Sequence, residues 1–158
     1  MLSWLWRFFL LVSFAFSMVY AQNSTVKVVF DLTTSDRNTL QQKLLKAVTA
    51  DNAYYESRFK EMKVAVVIHG GAYRFFVRNP HHTEYHTDKA LLSVFSDLSK
   101  RIKSLHDIYH VEFLICEAGM QKHGLQAKDV VSFVTIIPNA TIGLIDKQNA
   151  GYAYIPIK

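Results

Sequence analysis

The stretch Val111–Gly124, VEFLICEAGMQKHG, decides how the rest of the chain folds. Val111 to Ile115 is a short, almost wholly apolar run, the length and character of a buried strand. It leads straight into Cys116, the chain's one cysteine, on the first turn of a following helix. Gly124 supplies the left-handed residue that ends a short helix. A strand passing at once into a helix is the repeating unit of an open α/β sheet. Such sheets bind ligands in the crevice beyond the strands' carboxyl ends. Backbone N–H groups at the helix start also favour a negative charge such as a thiolate.

The pattern recurs on both sides of that stretch. Val26–Phe30 (VKVVF) is a β-branched apolar run, and Met62–His69 (MKVAVVIH) is apolar on both faces, as interior parallel strands are. Between them, Ser35 or Asp36 caps a helix from Arg37 to Tyr54, with Leu40, Leu44, Ala47 and Val48 at helical spacing. His69-Gly70-Gly71 then permits a sharp turn or a close approach to a ligand. Ala72–Val77 fits either a loop or a short helix, and Arg78–His82 is a polar break. Thr87-Asp88 caps a helix whose Leu91, Phe95, Leu98, Ile102 and Leu105 form one inward stripe. Past Gly124, Ala127–Val131 reads as a helical turn and Ser132–Ile137 as a fourth strand. Pro138 suits the first turn of a helix carrying apolar Ile142 and Ile145. Tyr152–Ile157 is a last strand. The order β-α-β-α-β-α-β-α-β predicts a mostly parallel five-stranded sheet with helices on both faces.

The amino end has a different character. Met1 to Ala21 holds one charged side chain, Arg7, followed by an apolar run from Phe8 to Val19. That run is short of the ~20 residues a spanning helix needs. Val19-Tyr20-Ala21 places small residues where a signal peptidase requires them. Residues 1–21 are therefore expected to be a signal peptide and 22–158 a single mature domain. Export follows, with a periplasmic location and no membrane association once the signal is removed. The formal net charge of +5 is modest, and Lys100, Arg101 and Lys103 form the solvated face of a helix. No basic-aromatic pattern accompanies them, which argues against nucleic-acid binding.

No phosphate-binding glycine loop and no Gly-x-Ser-x-Gly elbow is present, so nucleotide-binding and α/β-hydrolase chemistries are set aside and no cofactor is expected. His81, His82 and His86 lie close together but lack a complete tetrahedral ligand set, so no metal residues are assigned. Cys116 remains the strongest chemical candidate. A helix N-terminus contributes only ~0.3–1 kcal/mol toward a thiolate, and Glu117 works against it. A basic neighbour is needed, and His69, at the end of another strand, is the best placed. The competing reading is a Cys116 that merely packs at a strand end.

Val26–Phe30, Val64–His69 with Gly70, and the block Val111–Ile115, Cys116, Met120, Gly124 together resemble the DsrE/DsrF-like sulfur-relay superfamily. The tail, Pro138, Ile142, Ile145, Gln148, Gly151, Tyr152, Ala153, Tyr154 and Ile155, resembles its closing helix and strand in an exported, uncharacterised branch. The resemblance implies a three-layer α/β/α sandwich that assembles with itself into trimers or hexamers. It also implies a cysteine that accepts sulfane sulfur as a persulfide and passes it between a donor and an acceptor protein. Cys116 and His69 are then the catalytic candidates, and Gly70, Gly71, Glu117 and Met120 the binding ones. Two alternatives stand beside it. One is a non-catalytic oligomeric small-ligand-binding module in which Cys116 is structural, and the other a metal-binding protein using the histidine loop.

Overall fold

A computed structural model describes residues 25–158; the expected signal peptide lies outside the described residues. Five strands form one sheet: β1 (Val26–Leu32), β2 (Met62–Ile68), β3 (Glu112–Cys116), β4 (Val134–Ile137) and β5 (Ala153–Ile157). Their order is β4-β3-β2-β1-β5, and every pairing is parallel. The expectation of a mostly parallel sheet is thus met in full. β1 to β4 step along the sheet in one direction, and the chain then returns across its whole width to place β5. Right-handed crossovers put the helices of the first three connections on one face and the last on the other.

On the first face runs a helix, α1, spanning 37–56. Asp36 is its N-cap and accepts from the Thr39 N–H at 2.6 Å. The middle of α1, Gln41–Lys46, is wound as a π turn. This wider winding brings Leu45 into the core beside Leu40, Leu44 and Val48 and leaves Ala47 only partly covered. Straight 3.6-residue spacing could not foresee that exchange. The single helix expected after Asp88 is two: α2 (Lys89–Leu92), capped by the Asp88 carboxylate, and α3 (Phe95–Tyr109). Leu98, Ile102 and Leu105 carry the buried stripe of α3, which packs on α1.

α4 (Glu117–Lys122) is short and ends at Gly124, whose φ of +62° is the left-handed turn expected there. β4 is shorter than foreseen, beginning at Val134. The last helix, α5 (Ala140–Asn149), is capped by Asn139, which accepts from the Ile142 N–H at 3.0 Å, so Pro138 stands just outside it. Among the described residues α5 alone covers the second face. It approaches so closely that a Cβ on Gly143 would lie 2.5 Å from Ile137 Cδ1. Ile142 and Ile145 point outward, 43% and 50% exposed.

Candidate functional site

Strand alternation sorts the site residues by face. Val67 and Leu114 lie under Gly143 of α5, and β3 pairs Leu114 with β2 Val67. Cys116, two residues beyond Leu114, therefore belongs to the α5 face, and so does His69, two beyond Val67. The register that pairs Ile68 with Ile115 makes His69 and Cys116 neighbours on the next rung. The fold thus brings together, at the carboxyl end of the sheet, the two residues singled out for catalysis.

The local geometry of each departs from expectation. Cys116 closes β3 and serves as the backbone N-cap of α4, not as its first turn. It is 6% exposed, nearly closed to solvent. The His69 ring is held from its other side. Its Nε2 lies 2.5 Å from Asp31 Oδ1, on the far side of β2 from β3. The other oxygen of Asp31 accepts from the Tyr154 hydroxyl at 2.6 Å. That hydrogen bond is the chief reason the Tyr154 phenol is held above its ordinary pKa. Among the described residues His69 makes no hydrogen bond to Cys116.

The close neighbour of Cys116 is Tyr73, from the 3₁₀ segment Gly70–Phe75. Its hydroxyl donates to the Cys116 carbonyl at 2.9 Å. The ring is completely buried, and burial, followed by hydrogen bonding and charge at Cys116, pushes the phenol far above its ordinary pKa. Tyr73 stays a neutral donor. Its hydroxyl fits against Gly119 of α4, where a Cβ would stand only 1.9 Å away.

The remaining candidates have plainer positions. Gly70 (φ +60°) and Gly71 let the β2 turn close on the β1 loop: the Gly71 N–H reaches Thr33 O at 2.8 Å, and a Cβ on Gly71 would sit 2.7 Å from Ser35 Cβ. Glu117 is exposed on the first turn of α4, while Met120 is 2% exposed and belongs to the core. His82 and His86 fall in separate 3₁₀ turns, and among the described residues no group of three metal-ligating side chains forms. A hollow of about 450 Å³ lies beside the β1–α1 turn, lined by Ser35, Asp36, Arg37, Arg74 and Asp88 among others, and a second of about 440 Å³ lies at the sheet's amino end. Neither is lined by Cys116 or His69.

Sequence reasoning missed Asp31, Tyr73 and Tyr154. One signal was available for Asp31, an acid at the end of an otherwise apolar buried strand. Tyr73 offered none, because its segment was ambiguous.

The model of the DsrE/DsrF-like family matches residues 27–157. An uncharacterised protein of Aquifex aeolicus (strain VF5) is 28% identical over 141 residues, which is 84% of this chain. The chain spans 56% of that relative's length. A solved structure of a protein of unknown function from Methanobacterium thermoautotrophicum superposes with a TM-score of 0.63 at 21% identity, covering 83% of this chain and 98% of that one. It shares the fold.

Proposed function

We propose that this chain, which belongs to the DsrE/DsrF-like family linked to sulfur relay, is an exported sulfur-handling protein with Cys116 as its persulfide carrier. The observation that carries this reading is the placing of the chain's one thiol at a β-strand's carboxyl end, on the rung beside His69. The chemistry is an exchange. The Cys116 sulfur attacks the sulfane sulfur of a donor R–S–SH, the donor's S–S bond breaks, and R–SH leaves with the proton. Cys116 keeps the sulfane sulfur as Cys–S–SH, and no external oxidant is consumed. A second exchange passes it to an acceptor.

Polysulfide incubated with the native protein should add about 32 Da per sulfur at Cys116, a persulfide cap removable by dithiothreitol. Cys116→Ser should take up none while remaining folded. The burial of Cys116 favours one rival, the non-catalytic ligand-binding module. If native Cys116 resists both polysulfide and iodoacetamide until the protein is unfolded, that rival stands and the relay reading falls.

Self-association belongs to the same reading. Ile142 and Ile145 form an exposed apolar pair on α5, and Tyr154 and Ile155 are each 42% exposed on edge strand β5. By contrast the aromatic residues Tyr73, Phe75 and Phe76 are buried in the core. Light scattering at micromolar concentration should report a trimer or hexamer, and Ile145→Glu should shift it toward monomer. A monomeric wild type removes this part of the proposal.

A further inference from the structure

Asp31 is the sixth residue of β1 and is 7% exposed, an acid where the strand's neighbours Phe30 and Leu32 are buried apolar residues. Burying a carboxylate is costly unless it is hydrogen-bonded on every side. The parallel register explains how this one is satisfied. Asp31 pairs with Val67, which puts His69 on its face of the sheet, and Val29 pairs with Tyr154, which puts the phenol there too. An ionised carboxylate can only accept, so both contacts to Asp31 must be donated to it. The Tyr154 O–H fills Oδ2 and the His69 Nε2–H fills Oδ1.

With Nε2 donating to Asp31, the ring's other nitrogen, Nδ1, is the one left for chemistry. A neutral ring that carries its hydrogen on Nε2 has its lone pair on Nδ1. Among the described residues His69 Nδ1 has no hydrogen-bond partner, and the side chain is 30% exposed. A proton acceptor oriented by a buried acid, with its other nitrogen left open, is the geometry of a base and its orienting group.

The geometry points to Asp31 and Tyr154 as positioning residues that hold His69 with Nδ1 free to move the proton of sulfur transfer beside Cys116. The assignment rests on the sulfur-handling reading above. In the step, the Cys116 thiol gives its proton to His69 Nδ1, directly or through one water. The Cys116 sulfur then attacks the sulfane sulfur of R–S–SH, forming the new S–S bond as the old one breaks. R–S⁻ departs with that electron pair and takes the proton back from Nδ1. Asp31 stabilises the imidazolium in between, and the Tyr154 hydroxyl holds the second carboxylate oxygen in place. Atoms and charge balance without another reactant.

The test is single-turnover uptake from a small-molecule persulfide by the full chain, read by mass spectrometry, together with ¹⁵N NMR of the histidine ring. The wild type should show His69 protonated at Nε2 and bare at Nδ1. His69→Gln should slow uptake by about 100-fold, the lower end of what acid–base catalysis contributes. Asp31→Asn cannot accept from both donors, and it should slow uptake and disturb the His69 nitrogen shifts while circular dichroism stays unchanged. His69→Gln transferring sulfur at the wild-type rate overturns the assignment but leaves Cys116 as carrier. A wild-type ring protonated at Nδ1 overturns it also, with no variant needed. A wild-type Cys116 that takes up no sulfur at all overturns the relay reading, and this assignment with it.

Discussion

Gly119→Ala should destabilise the protein by about 2–4 kcal/mol, although helix propensity alone predicts the opposite sign. In an exposed helix, alanine is favoured over glycine by ~1 kcal/mol. Here the added Cβ would stand 1.9 Å from the Tyr73 hydroxyl oxygen and 2.6 Å from Cζ. Tyr73 is fully buried and cannot swing out to solvent. Forcing a methyl into a packed site costs about 1–3 kcal/mol. The displaced hydroxyl also loses its hydrogen bond to the Cys116 carbonyl, and a buried donor left unpaired costs about 1–3 kcal/mol more. The sum exceeds the propensity gain, so the clash decides the sign. Urea denaturation of the two single variants and of Tyr73→Phe/Gly119→Ala measures it. The double variant should lose less than the sum of the singles, because the phenylalanine has already given up the closest contact. Simple additivity would show that Gly119 and Tyr73 are not coupled.

That pair also shows where sequence reading stops. β1, β2 and β3 were legible because interior parallel strands are apolar on both faces and need no tertiary partner to be recognised. α3 was legible because Leu98, Ile102 and Leu105 keep helical spacing. The π turn in α1 was not, since it reassigns Leu45 and Ala47 by winding and not by composition. The outward face of α5 escaped notice for a related reason. Its inward residues are Ala140 and Gly143, small because the helix lies so close to the sheet, and their larger neighbours Ile142 and Ile145 mimicked a core stripe.

The site was half legible. Cys116 and His69 could be found from strand ends alone, because a parallel sheet aligns its carboxyl ends. What each side chain touches depends on register, and register joins residues as distant in sequence as Asp31 and Tyr154. No local pattern contains that contact. Glycines were similarly ambiguous: Gly70 and Gly71 read as a sharp turn or a ligand approach, and the structure shows the turn, closing on the Thr33–Ser35 loop.

Phe113→Ala should produce the largest loss of stability of any single change considered, about 3–5 kcal/mol, the range for deleting a buried phenylalanine. Phe113 is 1% exposed on β3, and its ring lies between Phe76 at 5.4 Å and Phe133 at 5.7 Å. Truncation opens a cavity and removes both aromatic contacts, each worth about 0.5–1.5 kcal/mol beyond area. Against a whole-domain stability of about 5–15 kcal/mol, this is a substantial fraction. At about 3–5 °C per kcal/mol for a domain of this size, the melting temperature should fall by about 10–20 °C. Phe113→Leu, which keeps most of the volume, should recover more than half of that. Strand alternation puts Phe113 on the face opposite Cys116 and Leu114, so the truncation weakens the fold without touching the thiol's surroundings. Iodoacetamide labelling of Cys116 separates the two kinds of damage. Under native conditions Phe113→Ala should label faster only in proportion to its larger unfolded fraction. Gly119→Ala should label faster than its stability loss accounts for, because there the carbonyl and helix start that frame the sulfur have moved. Equal labelling of the two variants at matched stability would mean that Tyr73 and Gly119 do not shape access to Cys116.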